Sequence, residues 1–431
     1  MNAEIISVGT ELLLGHTVNT DTAYVARELS AIGINLFYSC IVGDNPQRLK
    51  DALNDAFSHS DVIITTGGLG PTGDDLTKET IAAAAGKKLV MHEESMARIK
   101  KYFKGRALGE TQKKQAYLPQ GCTVFQNDVG TAPGCGFETE DGKTVVMLPG
   151  PPSELVPMLK NYAVPYLSRS SNTVIVSRMV HVFGLGEGYV AEKIADLTEC
   201  ENPTAATYAK EGEMFVRVTA RAENSGKAAE MCEPVVEELK KRFGEYVYGT
   251  ETESLEETVV QGLKKAGKTL STAESCTGGL LAKRITDIPG ASEVFHMGAV
   301  TYSNDIKTLL LGVPEETLEK YGAVSPQTAR AMAQGVRAKS GADFGIGITG
   351  IAGPDGGTPE KPVGLVYISL CDGENTWVRK MEGGGCTKGR SYVRSLSASN
   401  ALDMLRRRIA GLGGIEKAAY SAEKQQKASG K

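Results

Sequence analysis

Several features that mark specialised classes of protein are missing from this sequence. Its eight cysteines form no C-x-x-C pair and are scattered along the chain, which indicates reduced thiols. No apolar run approaches the ~20 residues of a transmembrane helix, and the chain begins directly with strand-forming residues instead of a signal-peptide pattern. We therefore expect a soluble, cytoplasmic protein without a membrane partner.

An excess of basic residues is also absent, since the formal net charge is -4 at pH 7. A dedicated nucleic-acid binder is thereby disfavoured, and small-molecule partners fit better. At ~100–200 residues per domain, a chain of 431 residues predicts two to four domains. The 50 glycines favour the tight strand-to-helix loops of α/β proteins.

Residues 1–168 alternate between strand and helix patterns, which predicts a first domain with a doubly wound parallel sheet. Strands are expected at 4–8, 35–42 and 61–66, with helices in the two intervening segments. Ligands of such folds bind beyond the carboxyl ends of the strands. The loops that follow these three strands are therefore the places to search for a site.

The third of these loops, GGLGPTGDDLTKE at residues 67–79, combines glycines with an acidic cluster. Gly67 and Gly68 could cradle a phosphate, but the spacing is not that of a Walker A loop. Carboxylates beside a phosphate need a cation between them, so Asp74 and Asp75 imply Mg²⁺ or a similar metal. Alternatively, one of these two carboxylates only caps the following helix.

A middle domain is predicted at residues 173–249, after a polar linker at 168–172, from the order β-α-β-β-α-β. Its turn GLGE, residues 184–187, carries Glu187 where a loop that clamps phosphates would need basic residues. We expect a structural or dimerising module, and nucleic-acid binding is the minority interpretation.

The third domain, residues 254–413, contains AESCTGG at 273–279, between a predicted strand and a predicted helix. This places Ser275 or Cys276 as a nucleophile near a helix N-terminus, where N–H groups stabilise an oxyanion or a phosphate. The alternative is that Ser275 or Thr277 is only a helix cap and Cys276 a small buried residue. The tail at 414–431 is polar and expected to be disordered.

Another strand of this domain, 294–302, ends at Tyr302, and Lys307 follows in the first turn of the next helix. A lysine there either points into solvent or has a lowered pKa and acts as a base. His296 is the only histidine of this domain and is expected to be a core residue, so a Ser-His-Asp triad lacks a suitable histidine. A Ser-Lys pair, with Tyr302 as relay and backbone amides at 276–279 as oxyanion donors, is available. Cys276 is the rival nucleophile.

Six motifs together resemble the CinA family of competence/damage-inducible proteins: SVGTELLLG (7–15), TTGGLGPTGDD (65–75), GTAPG (130–134), LPGPPSE (148–154), AESCTGG (273–279) and TGIAGPDGG (349–357). The resemblance implies a molybdopterin-binding-like first domain and a KH-type middle module. It also implies a C-terminal domain similar to nicotinamide-nucleotide amidases, which convert nicotinamide mononucleotide to nicotinic acid mononucleotide and ammonia. Some family members are implicated in ADP-ribose pyrophosphatase activity.

The resemblance also assigns residues. Ser275, Tyr302 and Lys307 match the catalytic positions of the amidase, which needs no cofactor. The substrate-binding positions are Thr277, Gly278, Gly279, Thr349, Gly350 and Arg390. The phosphate or metal positions of the first domain are Glu11, Asp44, Gly67, Gly68, Asp74, Asp75 and Glu154, with Asp74 and Asp75 as ligands of a divalent metal. The chain has Lys388-Gly389-Arg390 where the family tends to have Gly-Asp-Arg.

These assignments imply a homodimeric, bifunctional enzyme of pyridine-nucleotide recycling, acting on nicotinamide mononucleotide and on a pyrophosphate such as ADP-ribose. Two alternatives remain. The protein could be a non-catalytic scaffold in DNA uptake or damage response, or its first domain could bind molybdopterin. The complete set of Ser275, Tyr302 and Lys307 favours the enzyme, because a scaffold needs none of them.

Overall fold

The computed structural model describes residues 1–104, 106–169, 174–210, 212–250, 254–382 and 385–417. Internal contacts divide the chain into two compact units: residues 1–176 with 220–230, and residues 177–219 with 231 onward. Among the described helices, none is both long enough and apolar enough to cross a membrane. Residues 170–172 of the predicted linker lie outside the described residues.

The N-terminal region contains a six-stranded sheet of order β2-β1-β3-β8-β7-β6 and a two-stranded sheet, β4-β5. The first four strands of the larger sheet are parallel, and β7 and β6 continue it antiparallel. The strands are β1 Asn2–Val8, β2 Asn35–Val42, β3 Val62–Thr66, β4 Leu89–Met91, β5 Tyr117–Pro119, β6 Thr123–Phe125, β7 Gly134–Glu138 and β8 Thr144–Leu148.

Helices cover both faces of the six-stranded sheet, as the doubly wound pattern predicted. Alternate residues of β1 face opposite sides, so Ile5 packs with Leu29 in one core and Ile6 packs with Leu53 in the other. The helices of this region are α1 Thr10–Leu13, α2 Asp21–Ala31, α3 Pro46–His59, α4 Thr77–Ala84, α5 Glu93–Tyr102, α6 Glu110–Lys114, α7 Pro152–Met158 and α8 Val164–Ser168, with a π-helical turn at Leu159–Ala163.

The middle region follows the predicted order of elements. Its four strands form a sheet of order β10-β11-β9-β12. One predicted helix, at 187–197, is divided into two because Ile194 leaves the helical conformation at φ -116°. The elements are β9 Val174–Val182, α9 Glu187–Lys193, α10 Ala195–Thr198, β10 Thr204–Lys210, β11 Glu213–Ala222, α11 Ser225–Phe243 and β12 Val247–Gly249, with a 3-10 turn at Gly244–Tyr246.

The C-terminal region is built on a five-stranded sheet of order β14-β13-β15-β16-β17. The strands β14, β13 and β15 are parallel, and β16 and β17 are antiparallel additions. The elements are α12 Leu255–Ala266, β13 Leu270–Glu274, α13 Leu280–Thr286, β14 Phe295–Val300, α14 Asn304–Leu311, α15 Glu315–Tyr321, α16 Pro326–Ser340, β15 Phe344–Gly350, β16 Val366–Cys371, β17 Thr376–Met381 and α17 Gly385–Ile409, with a 3-10 turn at Ala291–Glu293.

Helix α16 lies directly on β15, and two glycines of that strand permit the close approach. A Cβ atom at Gly345 would lie 2.2 Å from the carbonyl oxygen of Ala333, and one at Gly347 would lie 2.5 Å from that of Ala329. Since neither backbone can retreat without moving a whole element, side chains at these positions are excluded. This contact fixes the strand that ends at Thr349 and Gly350.

Two expectations about the fold were wrong. His296 is exposed, as are Gly298 and Val300 on the same face of β14, which is an edge strand of the sheet. The tail does not become disordered at 414, because the Ile415 carbonyl oxygen accepts a hydrogen bond from Arg379 Nε and Glu416 Oε1 accepts one from the Val378 amide. Residues 418–431 lie outside the described residues.

The contact between α16 and β15 predicts that Gly347→Ala destabilises the C-terminal domain by about 1–3 kcal/mol, because an extra methyl group in a packed core displaces its neighbours. Thermal or denaturant unfolding of the full chain measures this. Gly188→Ala is the matched control, since no heavy atom lies within 4 Å of its added Cβ and α9 favours alanine. Equal stability of the two variants would contradict the packing argument.

Candidate functional sites

The first candidate site lies at the carboxyl edge of the three parallel strands of the C-terminal sheet. In the register of these strands, Glu274 of β13 is opposite Val300 of β14 and Ile348 of β15. Hydrogen bonds continue the pairing past the strand ends, from the Ser275 amide to Ile348 O at 3.0 Å and from the Thr301 amide to Glu274 O at 2.9 Å. The residues after each strand therefore meet at one edge.

Lys307 and Ser275 come together at this edge, as the Ser-Lys interpretation expected. The ammonium Nζ of Lys307 lies 3.4 Å from Ser275 Oγ and donates to the carbonyl oxygens of Thr301 at 2.9 Å and Tyr302 at 3.1 Å. These two carbonyl groups hold the amine in place because they follow β14 directly. Lysine and serine are thus fixed by two neighbouring strand ends.

Burial changes the acid–base behaviour of Lys307. Its side chain is only 1% exposed, although it lies in the first turn of α14. Burial lowers the pKa of Lys307 from its ordinary value, because an ammonium loses hydration there. The alternative of a solvent-exposed lysine is excluded, and the free amine becomes easier to form. A serine hydroxyl beside a free amine has a base within reach.

Cys276, the rival nucleophile, is in a different environment. Its thiol is buried, and burial raises its pKa to about 12. A thiol must lose its proton to attack, so such a cysteine is almost entirely inert at neutral pH. The geometry therefore favours Ser275 over Cys276.

The helix N-terminus after Ser275 is not free to hold an oxyanion, contrary to the sequence expectation. Helix α13 begins only at Leu280, and the buried Glu274 carboxylate accepts hydrogen bonds from the amides of Leu281 at 3.0 Å and Ala282 at 2.8 Å. The Gly278 amide is also engaged, since it donates to Ser275 O. No side chain from 275–279 caps this helix, so the simple capping alternative is wrong as well.

The turn after Ser275 is held from the far end of the domain. Arg394 of α17 donates to the Thr277 carbonyl oxygen from Nη2 at 2.6 Å and from Nε at 3.2 Å, which ties the turn to the last helix. Gly278 and Gly279 have φ 58° and 89°, values that favour glycine. The Thr277 hydroxyl is fully buried and has no hydrogen-bond partner among the described residues.

The other expected binding residues surround this turn. Arg390 donates to the Tyr302 hydroxyl at 3.3 Å and to the Gly353 carbonyl oxygen at 2.8 Å. Tyr302 is 61% exposed, and among the described residues it contacts Lys307 through its backbone carbonyl oxygen and not through its hydroxyl. Thr349 is buried and donates to Ala323 O at 2.7 Å. The non-helical Gly389, at φ 81°, interrupts α17 immediately before Arg390.

Gly350 ends β15 in contact with the neighbouring strand. A Cβ atom there would lie 2.6 Å from Val366 Cγ2, so only glycine fits at the start of the glycine-rich loop. The loop therefore leaves the sheet edge close to Thr349.

The second candidate site is a cavity of about 540 Å³ at the carboxyl edge of the N-terminal sheet, here called the acidic cavity. Among the residues that the structure describes, six carboxylates line it and no lysine, arginine or histidine does. The seven residues expected from the sequence all belong to its lining: Glu11, Asp44, Gly67, Gly68, Asp74, Asp75 and Glu154. They meet there because β1, β2, β3 and β8 are parallel and each is followed by one of these loops.

Hydrogen bonds hold the loops of the acidic cavity in position. The Thr10 amide donates to Asp44 Oδ2 at 2.8 Å, and Asn127 Nδ2 donates to Glu154 Oε2 at 2.6 Å. Asp75 Oδ2 accepts from the Thr72 amide at 2.8 Å. The Thr72 hydroxyl also donates to Asp74, and this bond lowers the pKa of that carboxyl. Neither aspartate caps α4, whose N-cap is Leu76, so the capping alternative is wrong.

Three glycines let carboxylates lie flat against the backbone of the acidic cavity. A Cβ atom added at Gly9 would lie 2.6 Å from Glu11 Oε1. One added at Gly70 would lie 2.6 Å from Asp75 Oδ2, and one added at Gly130 would lie 2.3 Å from Glu154 Oε2. Two further glycines face backbone and side chain: a Cβ at Gly67 would lie 2.2 Å from Val8 O, and one at Gly68 would lie 1.9 Å from Thr77 Oγ1. The glycine-rich sequence therefore makes room for the acids as well as for a ligand.

The donor set of the acidic cavity fits a hard divalent cation, because all its charged ligands are oxygen. Within the described residues, however, no three acidic, histidine or cysteine side chains are close enough to hold a metal ion together. The cavity thus fits a metal held by one or two carboxylates and completed by oxygens of a ligand, the mode common for Mg²⁺. Asp74 and Asp75 belong to this donor set.

Asp21 is a residue of the acidic cavity that the sequence analysis did not single out. It is 8% exposed, lines the cavity, and its Oδ1 has no hydrogen-bond partner among the described residues. Burial raises its pKa to about 6. A buried, unpaired carboxylate oxygen costs stability, which points to a partner supplied by the ligand. No sequence signal distinguished it from a helix cap.

Comparison with known proteins divides the chain into three consecutive matches. The family models are a probable molybdopterin binding domain at residues 4–169, a damage-inducible protein CinA KH domain at 177–249 and a CinA C-terminal domain at 252–409.

Curated relatives match nearly the whole chain. A CinA-like protein of Desulfovibrio desulfuricans is 57% identical over 412 residues, which cover 96% of this chain and 97% of the relative. A putative competence-damage inducible protein of Acetivibrio thermocellus is 50% identical over 417 residues, covering 96% and 100%. A crystal structure of CinA from Thermoplasma acidophilum is 37% identical and covers 39% of this chain and 97% of that one, with a TM-score of 0.37.

The raised pKa of Asp21 predicts a pH-dependent cost in stability. Its pKa of about 6 in the folded protein exceeds the value of 3.8 for an ordinary aspartate, so folding is disfavoured progressively as the pH rises from about 4 through 6. We expect Asp21→Asn to gain stability over the natural protein across this range, by no more than about 2 kcal/mol because cavity water screens the charge.

Melting temperatures between pH 4 and 7, measured with a metal chelator present, test this expectation. Glu28→Gln is the matched control, since it removes a carboxylate from the same helix outside the acidic cavity, and it should not show the same rise with pH. A pH-independent effect of Asp21→Asn would contradict the argument.

Proposed function

The chain belongs to the CinA family, as its sequence motifs suggested, and from this premise we propose that its C-terminal domain hydrolyses the carboxamide of nicotinamide mononucleotide. The products are nicotinic acid mononucleotide and ammonia. The observation that carries the proposal is the buried Lys307 amine, 3.4 Å from Ser275 Oγ, with a lowered pKa. Such a pair is a nucleophile with its base.

In the proposed reaction, Ser275 Oγ attacks the carboxamide carbon while Lys307 Nζ takes the hydroxyl proton. The tetrahedral intermediate then collapses, the C–N bond breaks, and Lys307 returns the proton to the leaving ammonia. Water hydrolyses the resulting ester in a second step with Lys307 again as base. The amides of Cys276 and Thr277, which directly follow the nucleophile, are the proposed donors to the oxyanion.

Substrate recognition in this proposal uses the groups around the turn. Arg390, whose guanidinium group lies beside the exposed Tyr302 hydroxyl, would bind the phosphate. The unpaired Thr277 hydroxyl would receive a hydrogen bond from the ligand or donate one to it. Arg394, in contrast, is engaged by the Thr277 carbonyl oxygen and acts as a positioning residue.

A second activity is proposed for the N-terminal domain, namely metal-dependent hydrolysis of a nucleotide pyrophosphate such as ADP-ribose. The observation that favours it is the acidic cavity, whose described lining has six carboxylates and no cation and would repel a pyrophosphate unless a cation lay between them. Asp74 and Asp75 would hold Mg²⁺, which would supply charge neutralisation and polarise the phosphoryl group. Asp21 would accept a hydrogen bond from the same ligand.

Both activities belong to a proposed role in pyridine-nucleotide recycling by a cytoplasmic homodimer. The alternatives of a non-catalytic scaffold and of a molybdopterin-binding protein predict no turnover. Co-purification of a fluorescent pterin with the full-length chain would favour the second of them.

For the amidase, we expect the purified protein to release ammonia from nicotinamide mononucleotide and Ser275→Ala to lose at least about 100-fold of this rate, because the ester intermediate cannot form. Cys276→Ala is the matched control and should keep most of the activity, since its buried thiol is inert. An enzymatic ammonia assay measures both. Loss of activity in Cys276→Ala alone would reverse the assignment, and an inactive natural protein would refute the amidase.

For the pyrophosphatase, we expect the full chain with Mg²⁺ to split ADP-ribose into AMP and ribose 5-phosphate, and a chelator to stop the reaction. Asp75→Asn should lower the rate at least about 10-fold because a metal ligand is lost. Chromatography of the nucleotides measures the products. Asp51→Asn, on the exposed side of α3, is the control. Unchanged turnover with chelator would contradict the role of the metal.

A further inference from the structure

A second cavity of the N-terminal domain, about 750 Å³ in volume, adjoins the acidic cavity and takes no part in the proposed pyrophosphatase chemistry. It is lined by the end of α5, the segment that follows it, and residues 126–133, and is here called the basic cavity. Thr131 lines both cavities, so they share a wall. Its volume falls in the range of ~300–1,000 Å³ typical of small-molecule sites.

The two cavities have opposite charge. The basic cavity is lined by Arg98, Lys101, Lys104 and Arg106, and Asp128 is its only lining carboxylate within the described part of the chain. The described lining of the acidic cavity has six carboxylates and no cation. The chain as a whole has a net charge of -4. Its overall composition therefore does not predict two neighbouring cavities with linings of opposite charge. The basic cavity is therefore a local concentration of positive potential.

Local structure explains how four cations come to face one cavity. The last turn of α5 is basic, which suits the negative end of the helix dipole. Beyond the helix, the Lys104 amide donates to Lys101 O at 3.1 Å and the Arg106 amide donates to Phe103 O at 3.0 Å. These turns bring cations from the helix and from the following segment to the same opening.

Within the described ranges, only one of these four cations has a carboxylate partner. Arg98 pairs with Asp128 at 2.6 Å. Lys101, Lys104 and Arg106 have no carboxylate within 4 Å among the residues that the structure describes. Placing like charges side by side raises the energy of the empty cavity, and an anionic ligand would relieve it.

An aromatic surface lies beside these cations. Tyr102 lines the basic cavity with its side chain 58% exposed, and its ring is held edge-to-face against Phe103 with 5.6 Å between ring centroids. An exposed tyrosine ring fixed by a second ring offers a stacking face for a planar base. The cations match the phosphate groups of a nucleotide, and the adjacent tyrosine ring matches its base.

The wall between the two cavities is a single hydrogen-bonded unit centred on Asn127. Its carbonyl oxygen accepts from Arg98 of the basic cavity at 3.3 Å, and its side chain donates to Glu154 of the acidic cavity at 2.6 Å. Asn127 Oδ1 also accepts from the Gly130 amide at 2.6 Å, next to the shared Thr131. The wall is thus fixed from both sides.

We propose that the basic cavity is a nucleotide-binding site in its own right, in which Lys101, Lys104 and Arg106 bind the phosphates and Tyr102 stacks on the base. It needs no metal, in contrast to the acidic cavity, because its own cations neutralise the phosphates. The proposal goes beyond the two activities above and does not depend on either of them.

The test is calorimetric titration of the full chain with ADP in the presence of a chelator. We expect ADP to bind, and Lys104→Glu/Arg106→Glu to weaken binding at least about 10-fold, because two attractive charges become repulsive. Arg48→Glu/Lys50→Glu is the matched control, with the same change in net charge on exposed positions of α3, and should stay within about twofold. Affinity should fall with added salt.

A second pair of titrations tests the stacking face. Tyr102→Ala should weaken ADP severalfold and leave inorganic pyrophosphate unchanged, because only the nucleotide carries a base. Equal weakening of both ligands would remove the tyrosine from the proposal. Absence of ADP binding without metal, or equal losses in the two double variants, would overturn the site. ADP-ribose hydrolysis is assayed separately, so its failure is distinguishable from either result.

Discussion

Parallel strand pairing places the carboxyl ends of neighbouring strands at one edge of a sheet, and both candidate sites depend on this constraint. In the C-terminal domain it brings Ser275, Thr301 and Thr349 beside one another although they are far apart in sequence. In the N-terminal domain it gathers the loops after β1, β2, β3 and β8 around one cavity. The antiparallel strands in each sheet widen the core and supply none of the expected catalytic residues.

Each site then stabilises charge in a different way. The C-terminal site buries a single amine among carbonyl oxygens, where desolvation favours the neutral base. The acidic cavity collects six carboxylates whose mutual repulsion favours a bound cation. Glycines contribute to both sites because they leave room for a close neighbour. Gly345 and Gly347 let α16 pack directly on β15, and Gly70 and Gly130 leave space for carboxylate groups.

Most of the fold and most of the site residues could be predicted from the sequence, because they follow from alternation of strand and helix and from the position of loops. The bounds of β2 match the expectation of a strand at 35–42. What failed depends on tertiary position. The pattern around His296 did not reveal that β14 is an edge strand. Nothing in the sequence around Glu274 indicated that its side chain would cap α13.

The hydrogen bonds from Arg394 to the turn after Ser275 have a consequence for synthesis of the protein. Arg394 lies 117 residues after the Thr277 carbonyl group that it holds, and Arg390 lies on the same last helix. A nascent chain therefore carries Ser275 and Lys307 long before it can fix the turn between β13 and α13. At ~5–20 residues per second of translation, the interval lasts many seconds, during which the partly made domain has its nucleophile but not its finished site.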